Sequence, residues 1–600
     1  MTHRRRTAAE VFAADGFDSV HLAPDGRMLS WTSRADRHRI VVAPLGDDDG
    51  AARAAVTSDT AISFHTWAPD GRHLLHVHDP DGSDVWQLQI TSIADGRTRR
   101  LTPADRHADL LALSPSRPHE LLVTVDDPVH GLPHVELVDV RSGRSERLVT
   151  NPGTVDGWFA DPDLVVRAAT APTPDGGFDL WHRASASAPW RPVGHVPAEH
   201  ALGTLVTSLP SAHELVLVTA LDGDTTSLVS LDARSGDRRT MASRAGVDLD
   251  RVLLDRRTGQ PQAVSWYADR RTWQALDPAV AADLCRLADL GLDVRIVDRS
   301  DDDRRWLVAL DDAVHPTSFA VWDRHDGNLV DADAVSPDRR ATATHAVHAV
   351  EIHARDGLRL DGYWSPPVTG TGPHPTVLLV HGGPWWRDSW EHDPWREWIN
   401  ELGLACLQVN FRGSSGRGSA FAAAGVRAWG DAVIDDLEDA LDHAVRHGWS
   451  DPQRLTAFGS SFGGYAALVL AARGRLAAVA AHAAPTDLVE FLEAFPPSHP
   501  TMDLLWRSRF GDVDDPDDRA RLARTSPIAL ADRIDCPVLL AHGRHDARIP
   551  ADHARRMHAA LVDHGRRSTL LVLDGEGHEL RQTATTVRLA DALALLLADR

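Results

Sequence analysis

LTAFGSSFGGYAALVLAAR, residues 455–473, joins an apolar run to a helix-forming run through a turn rich in glycine. The turn matches the pattern Gly-x-Ser-x-Gly, with Ser461 at its centre. The pattern alone is weak evidence, but a strand before it and a helix after it form the strand–elbow–helix arrangement of a nucleophilic serine. Such a turn lifts the hydroxyl clear of the sheet and aims the helix N-terminus at the reacting carbonyl. The stretch therefore predicts an α/β-hydrolase fold with Ser461 as nucleophile.

Strands and helices alternate through the C-terminal part of the chain. Continuous apolar runs bounded by turns are typical of parallel strands that are buried on both faces. Such runs occur at residues 376–380, 404–409, 455–458, 477–481, 538–541 and 569–573. Residues 431–447 carry apolar side chains three or four positions apart, and residues 584–598 suit a closing helix. We expect residues 345–600 to form an α/β-hydrolase catalytic domain with a doubly wound parallel sheet.

A serine hydroxyl needs a base to take its proton, and this fold places the acid and then the base after the serine in the chain. Asp546 follows the run at 538–541, and His578 follows the run at 569–573 with two glycines just before it. Both positions lie after strands, where α/β sheets place their sites. We predict that His578 is the general base and that Asp546 orients it.

The transition state of acyl transfer needs hydrogen-bond donors for its oxyanion. The backbone N–H of Phe462 is one candidate, because it follows the nucleophile. The second donor is expected from the loop after the 376–380 strand, where residues 381–384 are His-Gly-Gly-Pro. We assign it to Gly383, with Gly382 as the alternative. Each motif alone could be a plain tight turn, but four in the right order after the right strands favour an active site.

Residues 1–340 follow a different pattern, of short strands and repeated turns. Ala-Pro-Asp-Gly-Arg occurs at 23–27 and again at 68–72, each time before an apolar strand. A second set of turn glycines is spaced 47, 93 and 91 residues apart, or one, two and two periods of about 46; the set comprises Gly96, Gly143, Gly236 and Gly327. A period of this size built of strands indicates a β-propeller, here with about seven blades. Paired β-sandwiches or a solenoid are the alternatives, but radial closure leaves no long exposed sheet edge. Residues 1–16 contain a candidate short helix, for which docking on the hydrolase and joining a blade are both open.

Composition narrows the function classes. The formal net charge of −23 disfavours nucleic-acid binding. The three cysteines, Cys285, Cys406 and Cys536, are too far apart for a readable disulfide framework or metal site. The chain shows no apolar run of signal-peptide or membrane-span length. We therefore expect a soluble cytoplasmic protein without metal, cofactor or membrane partner; its oligomeric state, including a homo-oligomer, stays open.

Several further segments carry a resemblance to a known family. They are His381–Pro384, Asn410–Ser414, Trp429–Gly430, Asp451–Pro452, Gly459–Tyr465, Ser526–Ile528, His542–Pro550 and Glu576–His578. With these segments the chain resembles the prolyl oligopeptidase family of serine peptidases, which joins an N-terminal β-propeller to an α/β-hydrolase. The His-Gly-Gly-Pro form and the Gly-Ser-Ser-Phe-Gly-Gly-Tyr elbow look most like the acylaminoacyl-peptidase branch.

The resemblance implies cleavage of short peptides from the N-terminal side, of aminopeptidase or acylaminoacyl-peptidase type, with a propeller that excludes folded proteins. It implies that Arg548 binds a substrate backbone carbonyl; a structural salt bridge is the alternative. It also implies an acyl-side pocket near Leu492 and Phe495, although core packing is the simpler reading of the aromatic residues in this segment. Other branches have a tyrosine in the oxyanion hole where this chain has His381, and the glutamate pair of the dipeptidyl-peptidase branch is not found.

Two other functions remain open at this stage. An esterase or thioesterase would use the same triad, because the fold does not determine the substrate. A propeller-based binding protein with an idle hydrolase domain is the third hypothesis, and the presence of all three triad residues argues against it.

Overall fold

The computed structural model describes residues 5–12, 17–33, 38–46, 51–60, 62–79, 85–332, 335, 345–494 and 500–598. Within these ranges the strands form seven small antiparallel sheets, followed by one sheet of eight strands. Each small sheet is a meander of consecutive strands, four in number except in the sixth sheet, which has three.

The seven small sheets are the blades of a β-propeller. Blades one to four consist of β1 (Phe17–Leu22), β2 (Met28–Ser33), β3 (His38–Pro44), β4 (Arg53–Ser58), β5 (Ile62–Trp67), β6 (His73–His78), β7 (Gln87–Ser92), β8 (Thr98–Arg100), β9 (Ala108–Leu113), β10 (Glu120–Asp126), β11 (Pro133–Asp139), β12 (Ser145–Val149), β13 (Gly157–Ala160), β14 (Val166–Pro172), β15 (Phe178–His182) and β16 (Arg191–Val196). Blades five to seven consist of β17 (Leu205–Ser211), β18 (Glu214–Thr219), β19 (Ser227–Asp232), β20 (Arg238–Ala242), β21 (Leu249–Leu254), β22 (Pro261–Tyr267), β23 (Arg271–Ala275), β24 (Asp293–Arg299), β25 (Arg305–Asp311), β26 (Ser318–Asp323) and β27 (Asn328–Asp331). The blade number predicted from the turn spacing is confirmed.

A separate apolar cluster lies between each blade and the next, and the ring is closed in the same way. Val20 and Leu22 of the first blade pack with Leu307 and Val321 of the seventh. Because the described blades pack face to face in a closed ring, only short sheet edges are exposed. The two Pro-Asp-Gly turns that revealed the repeat have one geometry: the Asp25 carboxylate accepts from Arg27 N and the Asp70 carboxylate from Arg72 N, both at 2.9 Å.

The large sheet has the order β28-β29-β31-β30-β32-β33-β34-β35, in which the pairs β28–β29 and β29–β31 are antiparallel and the other pairs are parallel. Its strands are β28 (His348–His353), β29 (Arg359–Ser365), β30 (His374–Val380), β31 (Ala405–Asn410), β32 (Ser450–Ser460), β33 (Ala478–His482), β34 (Val538–Gly543) and β35 (Ser568–Leu573). The six predicted apolar runs are the six parallel strands. The first two strands, β28 and β29, were not predicted, because their alternating side chains resemble those of a propeller blade.

The helices of the chain are mostly on the two faces of this sheet. They are α1 (Ala8–Phe12), α2 (Ala198–Ala201), α3 (Pro278–Ala288), α4 (Pro394–Glu401), α5 (Ser419–Ala423), α6 (Ala432–Arg446), α7 (Phe462–Ala471), α8 (Leu488–Glu493), α9 (Pro500–Phe510), α10 (Pro516–Thr525), α11 (Asp552–Asp563) and α12 (Thr583–Ala598), with a 3₁₀ helix at Pro527–Arg533. The first three lie outside the hydrolase sequence. None of the helices described is both long enough and apolar enough to cross a membrane.

The N-terminal helix α1 lies on the hydrolase, away from the propeller that follows it in the chain. Val11 and Phe12 pack with Trp398 of α4 and Ala590 of α12. The Arg6 side chain adds an ion pair with Glu401 at 3.0 Å. The chain therefore begins on the hydrolase, forms the propeller and returns to the hydrolase.

The propeller meets the hydrolase through loops at one end of its blades. Arg387 Nη1 of the hydrolase donates to the carbonyl oxygen of Tyr267 at 2.9 Å, and Arg271 of the propeller pairs with Glu391 at 3.3 Å. The carboxylates of the propeller residues Asp248 and Asp224 accept hydrogen bonds from backbone N–H groups at the start of α5. These loops face the carboxyl ends of β30 and β31, so the propeller covers the edge of the sheet where sites form.

Buried histidines make the propeller sensitive to acid. The His76 side chain of β6 is 1% exposed, and burial, assisted by neighbouring His78, lowers the pKa of His76 to about 3. Below about pH 6.5 the unfolded chain binds a proton at this position that the folded chain does not bind. The stabilisation is therefore present above that pH and is lost as the pH falls.

We expect the free energy of unfolding to decrease between pH 7 and pH 5, by up to about 1.4 kcal/mol per pH unit for one such histidine. The measurement is the thermal midpoint across this range for the wild type and for His76→Gln, which keeps a polar group facing Thr91. The variant should show a shallower decrease. His325→Gln, at an exposed turn, is the matched control, and an equal slope in all three proteins would contradict the assignment.

Candidate active site

The turn at Ser461 is strained and closely packed. Ser461 lies between β32 and α7 with φ 56° and ψ −122°, a conformation that residues with side chains adopt only when the surrounding structure enforces it. A Cβ at Gly463 would overlap the carbonyl oxygen of Val380, and a Cβ at Gly459 would overlap the backbone of Gly463. Both glycines are therefore required by the close approach of α7 to the ends of β30 and β32.

Ser461, His578 and Asp546 form one chain of hydrogen bonds. The Ser461 hydroxyl lies 3.1 Å from His578 Nε2, and His578 Nδ1 donates to Asp546 Oδ2 at 2.8 Å. The Asp546 carboxylate is sealed from solvent, whereas the His578 side chain is 15% exposed. The arrangement can take a proton from the serine and hold the imidazole in one tautomer.

The Asp546 carboxylate is kept ionised by its surroundings. Burial would raise its pKa, but hydrogen bonds from His542, His578 and the backbone of Ile549 outweigh burial and leave the pKa below its usual range. The backbone N–H groups of Arg548 and Ile549 donate to Oδ1 at 2.9 and 2.8 Å. A permanent negative charge therefore faces the His578 ring.

Glu576 holds the loop that carries His578. Its carboxylate is buried and accepts from the backbone N–H groups of Arg581 and Gln582, both at 2.9 Å, and from the hydroxyl of Thr585. The Glu576 carbonyl oxygen accepts from His545 N at 2.9 Å, which joins this loop to the loop of Asp546. In the Glu-Gly-His motif, Glu576 therefore fixes the loop on which His578 is placed.

Two other histidines that end or follow strands lie beside the triad. His482 Nδ1 and the Ser460 hydroxyl are 2.8 Å apart, and burial lowers the pKa of His482 to about 3. His542 Nε2 lies 2.7 Å from the Ile549 carbonyl oxygen and 3.2 Å from Asp546 Oδ2. The sequence analysis gave neither histidine a role, although their positions at the end of β33 and within β34 are a usable signal.

The three residues assigned to the oxyanion hole lie around Ser461. Phe462 begins α7, whose first N–H groups have no acceptor inside the helix. A Cβ built on Gly382 would lie 3.7 Å from Ser461 Cβ, so this glycine touches the nucleophile turn, and Gly383 follows with φ 114°. No group of three or more metal-ligating side chains is found among the residues that the structure describes.

Comparison with known proteins agrees with this geometry. Residues 390–598 match the profile described as the prolyl oligopeptidase family. The chain is 32% identical over 575 residues to dipeptidyl aminopeptidase BIII of Pseudoxanthomonas mexicana, an alignment that covers 93% of this chain and 83% of the relative. The chain belongs to the prolyl oligopeptidase family. It is therefore a serine peptidase, as the sequence motifs indicated.

Two further similarities place this peptidase among its relatives. It is 26% identical over 224 residues to the acylamino-acid-releasing enzyme of Arabidopsis thaliana, covering 35% of this chain and 28% of that enzyme. Its structure matches the crystal structure of a puromycin hydrolase with a TM-score of 0.79 at 19% identity, covering 100% of this chain and 96% of that one. The last match shows that the whole two-part fold is shared.

The predicted substrate-binding residues of this peptidase differ in their surroundings. Arg548 is exposed, and within the described ranges its guanidinium has no ion-pair partner, so the salt-bridge alternative finds no support there. Leu492 is 2% exposed and belongs to the hydrolase core. Phe495 lies outside the described residues. Its role and the pocket role of Leu492 stay predictions.

Aromatic side chains surround the elbow of this peptidase. Trp506 stacks on Phe510 with ring centroids 4.5 Å apart and lies 5.2 Å from Trp385, while Trp429 packs edge-on against Phe462. Trp386 is different, because 65% of its surface is exposed beside the Gly382–Gly383 loop. Trp385 and Trp386 directly follow the His-Gly-Gly-Pro motif, and this Trp-Trp pair is the sequence signal that would have found them.

We expect Gly463→Ala to destabilise this peptidase, because the added methyl group meets the Val380 carbonyl in a backbone contact that has no room to relax. The loss should be about 1–3 kcal/mol or more. Thermal unfolding measures it, with Gly194→Ala in β16 as control, since open space surrounds that Cβ position. Equal midpoints for the two variants would show that the elbow tolerates a side chain.

Proposed function

We propose that this peptidase is an aminopeptidase that cleaves short peptides near their N-terminal end. In this proposal Ser461 is the nucleophile, His578 the general base and Asp546 the residue that orients the histidine. The observation that carries it is the unbroken chain from the Ser461 hydroxyl through His578 to Asp546, with steps of 3.1 and 2.8 Å.

The reaction has two halves. His578 Nε2 takes the proton of Ser461 as Oγ attacks the scissile carbonyl carbon, and it then gives that proton to the departing amine. The acyl group stays on Ser461 until water, deprotonated by the same histidine, releases it. The N–H groups of Phe462 and Gly383 donate to the oxyanion in both halves, where one such donor is worth about 2.7–4 kcal/mol.

The propeller supports the preference for short peptides. Its loops reach the sheet edge beside the site through the contacts of Tyr267, Arg271 and Asp248 with the hydrolase. In this proposal the contacts at these points exclude a folded protein and admit the extended end of a peptide. The substrate enters the space between them by one end.

An amino end is favoured over an acylated one by the extent of the similarities. The alignment with the dipeptidyl aminopeptidase covers 93% of this chain and so includes the propeller, whereas that with the acylamino-acid-releasing enzyme covers 35%. In this proposal the propeller faces the N-terminal end of the substrate, so similarity that includes the propeller bears on which N-terminal group is accepted. An acylaminoacyl-peptidase activity is the second candidate, favoured by the His-Gly-Gly-Pro and elbow motifs.

We expect alanyl-, phenylalanyl- and prolyl-p-nitroanilides to be hydrolysed faster when their amino group is free than when it is acetylated. The measurement is kcat/KM for both sets beside p-nitrophenyl acetate. Ser461→Ala should abolish turnover, and Asp546→Asn should lower kcat by about 10⁴-fold because the histidine loses its tautomer. Faster cleavage of the acetylated set would select the acylaminoacyl activity, and ester turnover without anilide cleavage would select the esterase.

Arg548 offers a separate test of how the substrate is held. Because its guanidinium is exposed two residues after Asp546, we expect Arg548→Ala to raise KM about tenfold, the loss of one charge-assisted hydrogen bond, while kcat changes less. Arg544→Ala removes an arginine of the same loop that pairs with Asp574, and it is the control. Equal KM values for the two variants would exclude Arg548 from substrate binding.

A further inference from the structure

We propose that Asp248 of the propeller is a positioning residue that sets the direction of the Gly383 N–H in the oxyanion hole. The inference rests on the proposed function and adds to it a part for the propeller in the chemical step. The path runs from Asp248 through the loop at residues 414–418, here called the clamp loop, to His381 and then to the Gly382–Gly383 peptide.

Asp248 holds the clamp loop with three hydrogen bonds. Its Oδ2 accepts from the backbone N–H groups of Gly416 and Gly418, both at 3.0 Å, and its own N–H donates to the Gly416 carbonyl oxygen at 3.1 Å. Its Oδ1 accepts from Thr226 N at 2.8 Å, which ties the same side chain into the propeller. Gly416 and Gly418 have φ of 97° and 93°, which glycine adopts readily, and their N–H groups, two residues apart, both point at this one oxygen.

A second propeller aspartate completes the attachment. Asp224 accepts from Ser419 N through its carbonyl oxygen and from Ala420 N through Oδ1, both at 2.7 Å. These are the first N–H groups of α5, and no side chain of the hydrolase caps that helix. The start of α5 is therefore capped by the propeller, and the clamp loop just before it is fixed at both of its glycines.

The clamp loop in turn contacts residues 381–386, here called the oxyanion loop, at two points. The Ser414 hydroxyl lies 3.0 Å from His381 Nε2, and Ser415 N donates to the Trp386 carbonyl oxygen at 3.3 Å. These contacts lie on either side of Gly382 and Gly383. A shift of the clamp loop is therefore passed to the segment that carries both glycines.

The His381 ring converts this contact into a peptide orientation. Burial lowers the pKa of His381 to about 4, so the ring is neutral at pH 7 and carries one N–H. Nδ1 lies 2.9 Å from the Gly382 carbonyl oxygen, which only accepts, so the proton is on Nδ1 and Nε2 is an acceptor. The Ser414 hydroxyl shares its one proton between His381 Nε2 at 3.0 Å and the Phe411 carbonyl oxygen at 2.7 Å. The ring also stacks on Phe411 at 4.3 Å, which fixes its plane.

The peptide between Gly382 and Gly383 is trans, so its C=O and N–H point in opposite directions. When His381 holds the Gly382 carbonyl, the Gly383 N–H must point to the other side. Glycines on both sides of this bond would otherwise let the peptide rotate freely. The histidine at the position where other branches have a tyrosine therefore acts on the hole through the backbone.

The test is a double-mutant cycle with Asp248→Ala, Ser414→Ala and the combined variant, assayed on the best anilide substrate. We expect each single change to lower kcat about 10- to 100-fold, with KM within about threefold, since a misdirected donor weakens the transition state more than the bound substrate. Because both residues act on one path, the combined variant should be no slower than the slower single variant.

Asp222→Ala is the matched control, since Asp222 lies in the same propeller loop as Asp224 and pairs with Arg238 of its own blade. It should leave kcat and KM unchanged. Thermal midpoints of all variants separate folding from chemistry. If Asp248→Ala does not fold, Ser414→Ala alone decides, and an unchanged kcat in that variant overturns the inference.

The remaining outcomes are distinguishable. A lower thermal midpoint with normal kcat would make Asp248 a structural contact only, and a raised KM with normal kcat would make it a contact for domain closure; either result overturns the inference. Effects of Asp248→Ala and Ser414→Ala that multiply in the combined variant would place the two residues on separate paths, with the same consequence. An inactive wild type would instead defeat the proposed function itself.

Discussion

The close approach of α7 to the ends of β30 and β32 is the constraint on which the site depends. Gly463 rests against the Val380 carbonyl and Gly459 against Gly463, and this contact leaves no conformation for Ser461 except a strained one. The residue after Val380 is His381, which begins the oxyanion loop. One backbone contact therefore sets both the height of Ser461 above the sheet and its distance from Gly383, which are the nucleophile and the second oxyanion donor of the proposed mechanism. The stable packing of the sheet maintains the strained backbone of Ser461.

Local chemistry explains what the sequence could reveal. Ser461, Asp546 and His578 follow parallel strands whose apolar runs are continuous, and each turn contains the glycines that its backbone needs. The propeller was equally visible, because each blade repeats a turn in which an aspartate such as Asp25 accepts from the backbone two residues later. β28 and β29 were missed because antiparallel strands alternate, and nothing in such a pattern tells a hydrolase strand from a blade strand.

Contacts between distant parts of the chain could not be predicted from a local sequence pattern. Asp248 is one of many aspartates in the propeller, and only the folded chain shows that its carboxylate meets two hydrolase glycines 168 and 170 positions away. The exposure of Arg548 and the burial of Leu492 likewise follow from which elements pack over them, not from their own neighbourhood. The grouping of Ser461, His578 and Asp546 was therefore predictable from motifs, whereas the surroundings of the expected substrate-binding residues depend on tertiary packing.

The placement of α1 has a consequence for motion. Because α1 packs on α4 and α12, the propeller is an insertion whose two connections both return to the hydrolase. A body held by two tethers has a high effective concentration for its own docking face, so separation is brief and re-docking is fast. Deletion of the first twelve residues would remove α1 and leave the propeller connected to the hydrolase at one end only. The propeller would then separate further from its docking face and stay apart for longer.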